Sequence, residues 1–431
     1  MVLIYSHTIT NRLQYICSFI FEQLLQVTFY ITTNKQVFEQ YDGAKINYSN
    51  NDFSGFIVQP TDLLFNQTVE PIAINCFLYK GNIAFFKATT CVDYGFDIFA
   101  ASFYLISRYE EYLPHTKDMY GRYAHQNSLA YKQGFLHLPL VNIWIMDFIK
   151  VLQNKYPNFT YTTPKFSFVP TYDIDIGYSY KHKGVLRNIG AFIQQPTIDR
   201  IVTLFGLKND PFDTYHILHQ LHLQYHIQPI YFFLVAQKNG LYDKNILPKK
   251  IAMQQLIAAH NKLYTIGIHP SWQSVNDTLL LKKEKELIEK IIQQSITISR
   301  QHYIRFNLPM GYQQLIDAAI THDYSMGYGS INGFRASVAT PFYWYNLSTN
   351  QTAKLLVHPF CFMDANALYE QHFTAAEAYT QMMEYYQICK TVGGCFITIW
   401  HNHFFSNQYL FKNWQQAYTN FLSDMYNTNK I

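Results

Sequence analysis

Five residues that could carry metal-assisted hydrolysis each follow a short apolar run of the sequence. They are Asp173 and Asp175 after residues 166–172, His269 after residues 263–268, Arg305 after Tyr303-Ile304, and His401 after residues 396–400. Short runs rich in β-branched and aromatic residues are typical of buried strands. Catalytic groups gather at the carboxyl ends of the strands in barrels of parallel strands. We therefore expect these side chains to form one site.

The Asp173–Asp175 pair suits this chemistry because metal-assisted hydrolysis needs two carboxylate roles. One carboxylate holds the metal, and the other accepts a proton from the attacking water. Asp pairs are also common in turns and at helix caps, so the pair alone is weak evidence. His401 lies in the segment Trp400–His403, where an imidazole could act as a general acid.

The elements that position these residues predict an α/β fold with a distorted, seven-stranded (β/α) barrel over residues 165–431. Helical segments separate most of the strand-like runs, which favours a parallel sheet. The seven runs are residues 166–172, 229–235, 263–268, 302–306, 324–327, 355–358 and 395–400.

Residues 1–160 predict a small α/β domain of unknown role, joined to the barrel by a linker at residues 156–164, which contains two prolines. Strands are expected at residues 2–5 and 27–32, with an amphipathic helix between them. A long helix is expected over residues 96–111. Its polar end, residues 108–111, is most simply an exposed helix terminus, with an interdomain contact as the alternative.

Composition narrows the class of protein. The chain has 431 residues, of which 49% are hydrophobic and 14% charged, and this excludes a disordered chain. A net charge of +4 gives no support for nucleic-acid binding. The six cysteines show no CxxC pair and are expected to be buried and reduced. No stretch predicts a membrane span or a secretory signal, so we expect a cytoplasmic protein.

The order of these segments resembles the polysaccharide deacetylase family, carbohydrate esterase family four. Members remove N- or O-acetyl groups from glycans on a distorted (β/α) barrel. Thr171–Asp175 resembles the first motif, which implies Asp173 as the base and Asp175 as a metal ligand. His269 falls where the second motif supplies a metal histidine. Arg305 resembles the arginine that orients the catalytic aspartate, and Ile399–His401 resembles the last motif, with His401 as the acid. Residues 1–160 are similar to an uncharacterised domain found ahead of some bacterial members.

Two departures from the family pattern concern the metal and the arginine. The second motif usually has another histidine four residues after the first, and here that position is Gln273. Glutamine is a poor zinc ligand. His302 and His403 are the nearest candidates for a third ligand. Arg305 and Pro309 are also more widely spaced than in the family's third motif.

The resemblance implies a hydrolase that uses a divalent metal, zinc by expectation, to remove N-acetyl groups from a sugar, a glycan or a glycan precursor. Gln273 keeps open a non-catalytic glycan-binding or scaffold protein on a decayed deacetylase barrel. A third possibility is hydrolysis of a small amide. The sequence has no G-x-S-x-G motif and no phosphate-binding glycine loop, which argues against serine hydrolases and nucleotide enzymes.

Overall fold

A computed structural model describes residues 1–51, 53–194 and 196–428. Its N-terminal region contains a four-stranded parallel sheet in the order β2-β1-β3-β4, and a separate antiparallel pair, β5-β6. The strands are β1 (Val2–Tyr5), β2 (Phe29–Thr32), β3 (Lys45–Asn47), β4 (Phe56–Ile57), β5 (Phe77–Tyr79) and β6 (Asn82–Ala84). The helices are α1 (Asn11–Cys17), which continues as a π-helix over Ser18–Leu24, α2 (Lys35–Gln40), α3 (Ile98–Ile106), α4 (Leu129–Lys132) and α5 (Leu140–Lys155).

The second sheet has nine strands among the described residues, in the order β12-β13-β11-β10-β9-β8-β7-β15-β14. They are β7 (Ser167–Ile174), β8 (Ile230–Leu234), β9 (Thr265–His269), β10 (Ile298–Ser299), β11 (His322–Asp323), β12 (Phe342–Asn346), β13 (Gln351–Val357), β14 (Phe362–Met363) and β15 (Cys395–His401). All neighbours pair in parallel except β12 and β13. The predicted α/β class and parallel sheet are confirmed.

Helices lie between most strands of this sheet, as expected where parallel strands need crossover connections. They are α6 (Val185–Gln194), α7 (Ile198–Leu204), α8 (Tyr215–Tyr225), α9 (Ile251–Asn261), α10 (Thr278–Ile292), α11 (Met310–Asp317), α12 (Ala375–Thr391) and α13 (Trp414–Thr428). The register pairs His401 with Asp173, and His269 with Leu234 on the next strand. The candidate residues therefore lie at one end of the sheet.

The predicted strand at residues 302–306 is wrong. His302–Ile304 is a 3₁₀ turn that follows the two-residue strand β10. Tyr303 and Ile304 have φ angles of 59° and 53°, in the left-handed region, which an extended strand cannot contain. The sheet also holds β12 and β14, which the sequence analysis did not find, and the predicted strand at 324–327 is preceded by the observed β11.

Residues 108–111 are buried instead of forming an exposed helix end. Helix α3 ends at Ile106, and Arg108 has a φ of 56°, which turns the following 3₁₀ segment inward. Glu111 accepts two hydrogen bonds from Arg335, of 2.8 and 2.6 Å, and one of 2.7 Å from Arg108. Arg108 also bonds Glu110 at 2.9 Å. These four side chains, here called the junction cluster, join the N-terminal region to the larger sheet.

Two other expectations concern the cysteines and membrane spans. All six cysteines are free thiols, as expected, but Cys91 is exposed and Cys76 and Cys395 are half-buried. Among the described residues, every helix is too short or too polar to cross a membrane.

Candidate metal and catalytic site

Four of the predicted site residues converge at the ends of β7, β9 and β15. The Nε2 atom of His269 lies 3.1 Å from Asp175 Oδ1 and 3.7 Å from Asp173 Oδ2. The Nε2 atom of His401 lies 3.4 Å from Asp175 Oδ2. Asp173, His269 and His401 are 2%, 2% and 7% exposed, so water competes little for these groups.

His302 joins this group from the turn after β10. Its Nε2 atom lies 3.5 Å from Asp175 Oδ2. Asp175, His269 and His302 each offer one ligand atom, and these atoms all lie within 4.8 Å of one another. Of the two histidines considered for the third ligand, His302 takes this place. We call Asp173, Asp175, His269, His302 and His401 the site cluster.

The three histidines share one orientation, fixed by a hydrogen bond at Nδ1. His269 Nδ1 bonds the Arg300 carbonyl. His302 Nδ1 lies 3.1 Å from Asp243 Oδ1, and His401 Nδ1 lies 2.7 Å from Asp364 Oδ1. These acceptors place the Nδ1 proton on each ring, so that Nε2 faces Asp175. A carboxylate or carbonyl behind a histidine in this way is the usual arrangement at metal ligands.

The donor set fits a divalent cation. Asp175 Oδ1 is buried and has no hydrogen-bond partner, although His269 Nε2 lies 3.1 Å from it. Two ligands at the usual zinc distances and a tetrahedral angle lie about 3.3 Å apart. The 3.1 Å between His269 Nε2 and Asp175 Oδ1, without a hydrogen bond between them, is therefore close to the distance expected for two ligands of one ion. An Asp/His/His set of this kind is typical of catalytic zinc sites.

Charge leads to the same conclusion. The carboxylates of Asp173, Asp175, Asp243 and Asp364 lie close together here, and Arg300 bonds one of them, Asp173. The group therefore favours a nearby cation.

The pKa shifts report this negative field. Burial acts to raise the pKa of Asp175, but His302, His269 and His401 hold it well below its usual range. Burial acts to lower the pKa of His302, and Asp175 and Asp243 outweigh it and raise that pKa to about 9. Asp364 and Asp175 likewise overcome burial to raise the pKa of His401 well above 6.5. The site stabilises positive charge.

The prediction that Arg305 orients Asp173 is wrong. Arg305 stacks over the Trp272 ring at 4.0 Å and donates to the carbonyls of Tyr120 and Trp272 at 3.1 and 3.3 Å. The guanidinium that bonds Asp173 belongs to Arg300, whose Nη1 lies 2.9 Å from Asp173 Oδ1. Arg300 is completely buried because it follows β10 and points beneath the site.

Gln273 is not a member of the ligand group but supports it indirectly. Its Nε2 donates to Asp243 Oδ2 at 2.9 Å and to the Lys238 carbonyl at 2.9 Å. Asp243 Oδ1 in turn accepts from His302. The residue at the unusual motif position therefore fixes the carboxylate that orients His302. His403 lines the same cavity, and burial lowers its pKa to about 3.

Three contributors escaped the sequence analysis: Arg300, Asp243 and Asp364. Asp364 follows β14 and Arg300 follows β10, strands of only two residues each. Both residues follow strands, as the other site residues do. A strand of two residues leaves no pattern in the sequence from which it can be predicted. Asp243 lies in a loop, and nothing in its local sequence distinguishes it.

A cavity of about 360 Å³ opens over the site cluster. Tyr242, Tyr303 and Tyr369 line it, together with Tyr120 and Arg122 from the N-terminal region. Aromatic side chains offer flat apolar faces with a polar tip, which suits contact with a sugar ring.

Comparisons with known proteins divide the chain. Residues 2–157 match a family of unknown function (DUF7033). No curated protein is similar enough in sequence to count as a match.

Solved structures match about three fifths of the chain. A Mycobacterium smegmatis protein assigned to the polysaccharide deacetylases is 11% identical, with a TM-score of 0.41, over 62% of this chain and 85% of its own. The allantoinase Puue is 9% identical, with a TM-score of 0.40, over 61% and 84%. A CE4 family pseudoenzyme from Bacillus anthracis is 8% identical, with a TM-score of 0.32, over 62% of both chains.

Proposed function

We propose that this protein is a divalent-metal hydrolase that removes the acetyl group from an N-acetylated sugar or glycan. The observation that carries the proposal is the convergence of three oriented Nε2 atoms on Asp175, one of whose oxygens has no hydrogen-bond partner. The motif order supports the acetyl group as the target, and the tyrosine-lined cavity supports a sugar.

Asp175, His269 and His302 would hold the metal, with zinc favoured by the ligand types. When bound, such a metal supplies polarisation of the acetyl carbonyl and a lower pKa for an attacking water. Gln273 motivated the non-catalytic alternative because it removes an expected ligand. His302 supplies the third candidate ligand in its place.

Asp173 is placed to take the proton from the attacking water. Arg300 holds its Oδ1 at 2.9 Å, and Oδ2 faces the site, 3.7 Å from His269 Nε2. A carboxylate held at one oxygen keeps the other in place without needing to reorient during the reaction.

His401 is placed to protonate the departing nitrogen. Asp364 accepts from both its Nδ1 and its backbone N–H, each at 2.7 Å, so the ring cannot rotate freely and Nε2 remains the atom that faces the cavity. The buried Asp364 carboxylate also stabilises the imidazolium form that a general acid requires.

The test is acetate release by the protein loaded with zinc, cobalt or nickel, with and without Asp173→Asn. Removing a general base costs about 10²–10⁴-fold in rate. We expect Asp173→Asn to lose at least about 100-fold in kcat while it keeps its metal and stays folded at the assay temperature. Its unfolding temperature should fall, because the buried Arg300 loses its charged partner. Comparing acetate release from acetylated sugars with acetate release from simple amides distinguishes the carbohydrate function from the small-amide alternative.

The matched control is Asp199→Asn, the same chemical change at an exposed ion pair with Lys208, where activity should not change. Two outcomes would contradict the proposal. One is equal acetate release by Asp173→Asn and the unmodified protein. The other is a protein that binds no metal after loading, which would favour the non-catalytic alternative.

A further inference from the structure

A hairpin of the N-terminal region, residues 117–123, is built rigidly around one carboxylate. Asp118 Oδ1 accepts from the backbone N–H groups of Tyr120 and Arg122, both at 2.9 Å, and Oδ2 pairs with Arg122 Nε at 2.6 Å. Gly121 takes a φ of 74° at the turn, which glycine adopts without strain. Lys117 and Tyr123 close the hairpin with an antiparallel bridge.

Arg122 connects this hairpin to the turn that carries His302. Its Nη1 donates to the Tyr303 carbonyl at 2.7 Å. Gly329 makes room for the guanidinium, since a Cβ there would lie 2.0 Å from Nη1. Left-handed backbone is costly for residues such as Tyr303 and Ile304, and it persists only where surrounding structure holds it. The hairpin supplies part of that support, directly beside the metal-ligand candidate.

Tyr120 forms a wall of the cavity on the side of strands β8, β9 and β10. Its ring packs 6.0, 6.2 and 5.3 Å from the rings of Tyr242, Trp272 and Tyr303, measured between centroids. Arg305, which stacks on Trp272, donates to the Tyr120 carbonyl and fixes this contact. The arginine that the motif resemblance assigned to catalysis thus anchors the hairpin.

The cavity is walled on its other side by Tyr369 and Glu370, which follow β14. Its volume of about 360 Å³ is near the lower end of the range of about 300–1,000 Å³ usual for small-molecule sites. A polymer lying across the strand ends toward β8, β9 and β10 would meet the hairpin, since Tyr120 packs against the rings of Tyr242, Trp272 and Tyr303 on that side.

Building on the proposed function, we infer that the 117–123 hairpin turns the site into a pocket for a free N-acetylated sugar or the terminal sugar of a chain, and that it excludes internal sugars. The N-terminal region is then a part of the substrate site, and Tyr120 determines which acetyl groups can reach Asp173.

The experiment measures binding and product pattern with N-acetylglucosamine and its β-1,4-linked oligomers of two, four and six rings. Titration calorimetry with the metal-loaded Asp173→Asn protein should give an affinity that stops rising at two rings. Mass spectrometry of the hexamer treated with unmodified protein should show acetyl loss only at a chain end. In Tyr120→Ala, internal acetyl loss should appear.

Met119→Ala is the control, because Met119 lies in the same hairpin, is 86% exposed and does not line the cavity. It should leave affinity and product pattern unchanged. The inference is overturned if no sugar binds, if affinity rises more than about tenfold from two to six rings, or if the unmodified protein removes internal acetyl groups. Affinity that saturates at two rings without any acetate release would instead contradict the proposed function and leave the pocket intact.

Discussion

Two of the places where the protein buries ionisable side chains, the junction cluster and the site cluster, differ in how their carboxylates are paired. In the junction cluster two arginines face two glutamates, and the Glu111 oxygens accept from both arginines. In the site cluster Arg300 bonds Asp173 from outside the cluster, and Asp175 Oδ1 has no hydrogen-bond partner. Buried charge is costly unless it is paired. The carboxylates of the junction cluster are therefore paired within the protein, whereas the site cluster keeps an unpaired carboxylate oxygen that the proposed cation would bind.

The largest effect on metal affinity should come from removing one member of the site cluster. His302→Ala deletes one of three proposed ligands. Loss of a group merely supporting a ligand costs about 10–100-fold in metal affinity, so loss of a ligand should cost more than about 100-fold. Zinc titration against a competing chelator measures this.

His403→Ala is the matched control for this prediction. His403 is half-buried, lines the same cavity and packs against Phe212 with ring centroids 5.2 Å apart, but it is outside the group of candidate ligands. A similar loss of zinc in both variants would contradict the assignment of His302.

Breaking the junction cluster should instead cost stability and spare metal binding. Glu111→Gln leaves Arg335 and Arg108 without their shared carboxylate at a site where the arginines are 2% and 1% exposed. Removing one partner of a buried ion pair typically costs about 3–5 kcal/mol. Urea unfolding should show this loss, with zinc affinity unchanged in the folded protein. Glu39→Gln, at the exposed pair with Lys35, is the control and should be neutral.

The junction cluster should also give the protein a specific acid dependence. Burial acts to raise the pKa of Glu111, but Arg335 and Arg108 lower it from 4.5 to about 2. A carboxyl whose pKa is depressed on folding stabilises the protein above its unfolded pKa and loses that effect as pH falls toward the folded value. The destabilisation caused by Glu111→Gln should therefore shrink by about 3 kcal/mol between pH 5 and pH 2.

Glu110, in the same cluster, should change the stability of the protein with pH in the opposite direction to Glu111. Burial raises its pKa above 4.5 despite the opposing effect of Arg108. Its contribution to stability is full below the unfolded pKa and is lost as pH rises through the folded value. Relative to the unmodified protein, the urea midpoint of Glu110→Gln should therefore rise as pH increases above 4.5, whereas that of Glu111→Gln should rise as pH decreases below 4.5. Parallel changes would show that the two glutamates do not differ in pairing.

The two clusters also show what the sequence could reveal. Asp173, Asp175, His269 and His401 were found because each follows an apolar run long enough to predict a strand. Arg300 and Asp364 follow two-residue strands, which leave no periodic pattern. His302 was placed inside a predicted strand because Tyr303 and Ile304 favour extended structure, and tertiary contacts such as the one from Arg122 override that preference.

The junction cluster was predicted as an exposed terminus for a related reason. The partner that allows Glu111 to be buried, Arg335, lies 224 residues away in the sequence. A run of charged residues predicts an exposed segment. Only the folded structure shows that Arg335 neutralises the charge of Glu111. The contact of Glu111 with Arg335 is the kind that the alternative expected for residues 108–111, one between the N-terminal region and the rest of the chain.

The smallest expected effect lies at Gln273, which links the site cluster to its support. Gln273→Ala removes the N–H donor from Asp243 and should loosen the carboxylate that orients His302. We expect zinc affinity to fall by about 10–100-fold, less than for His302→Ala, with the free energy of unfolding of the metal-free protein nearly unchanged. Gln254→Ala, which removes an amide bonded only to the Pro248 carbonyl at 3.3 Å, should leave zinc affinity as it is. If Gln273→Ala bound zinc as tightly as the unmodified protein, Asp243 would hold His302 without help, and the glutamine would have no role in the metal site.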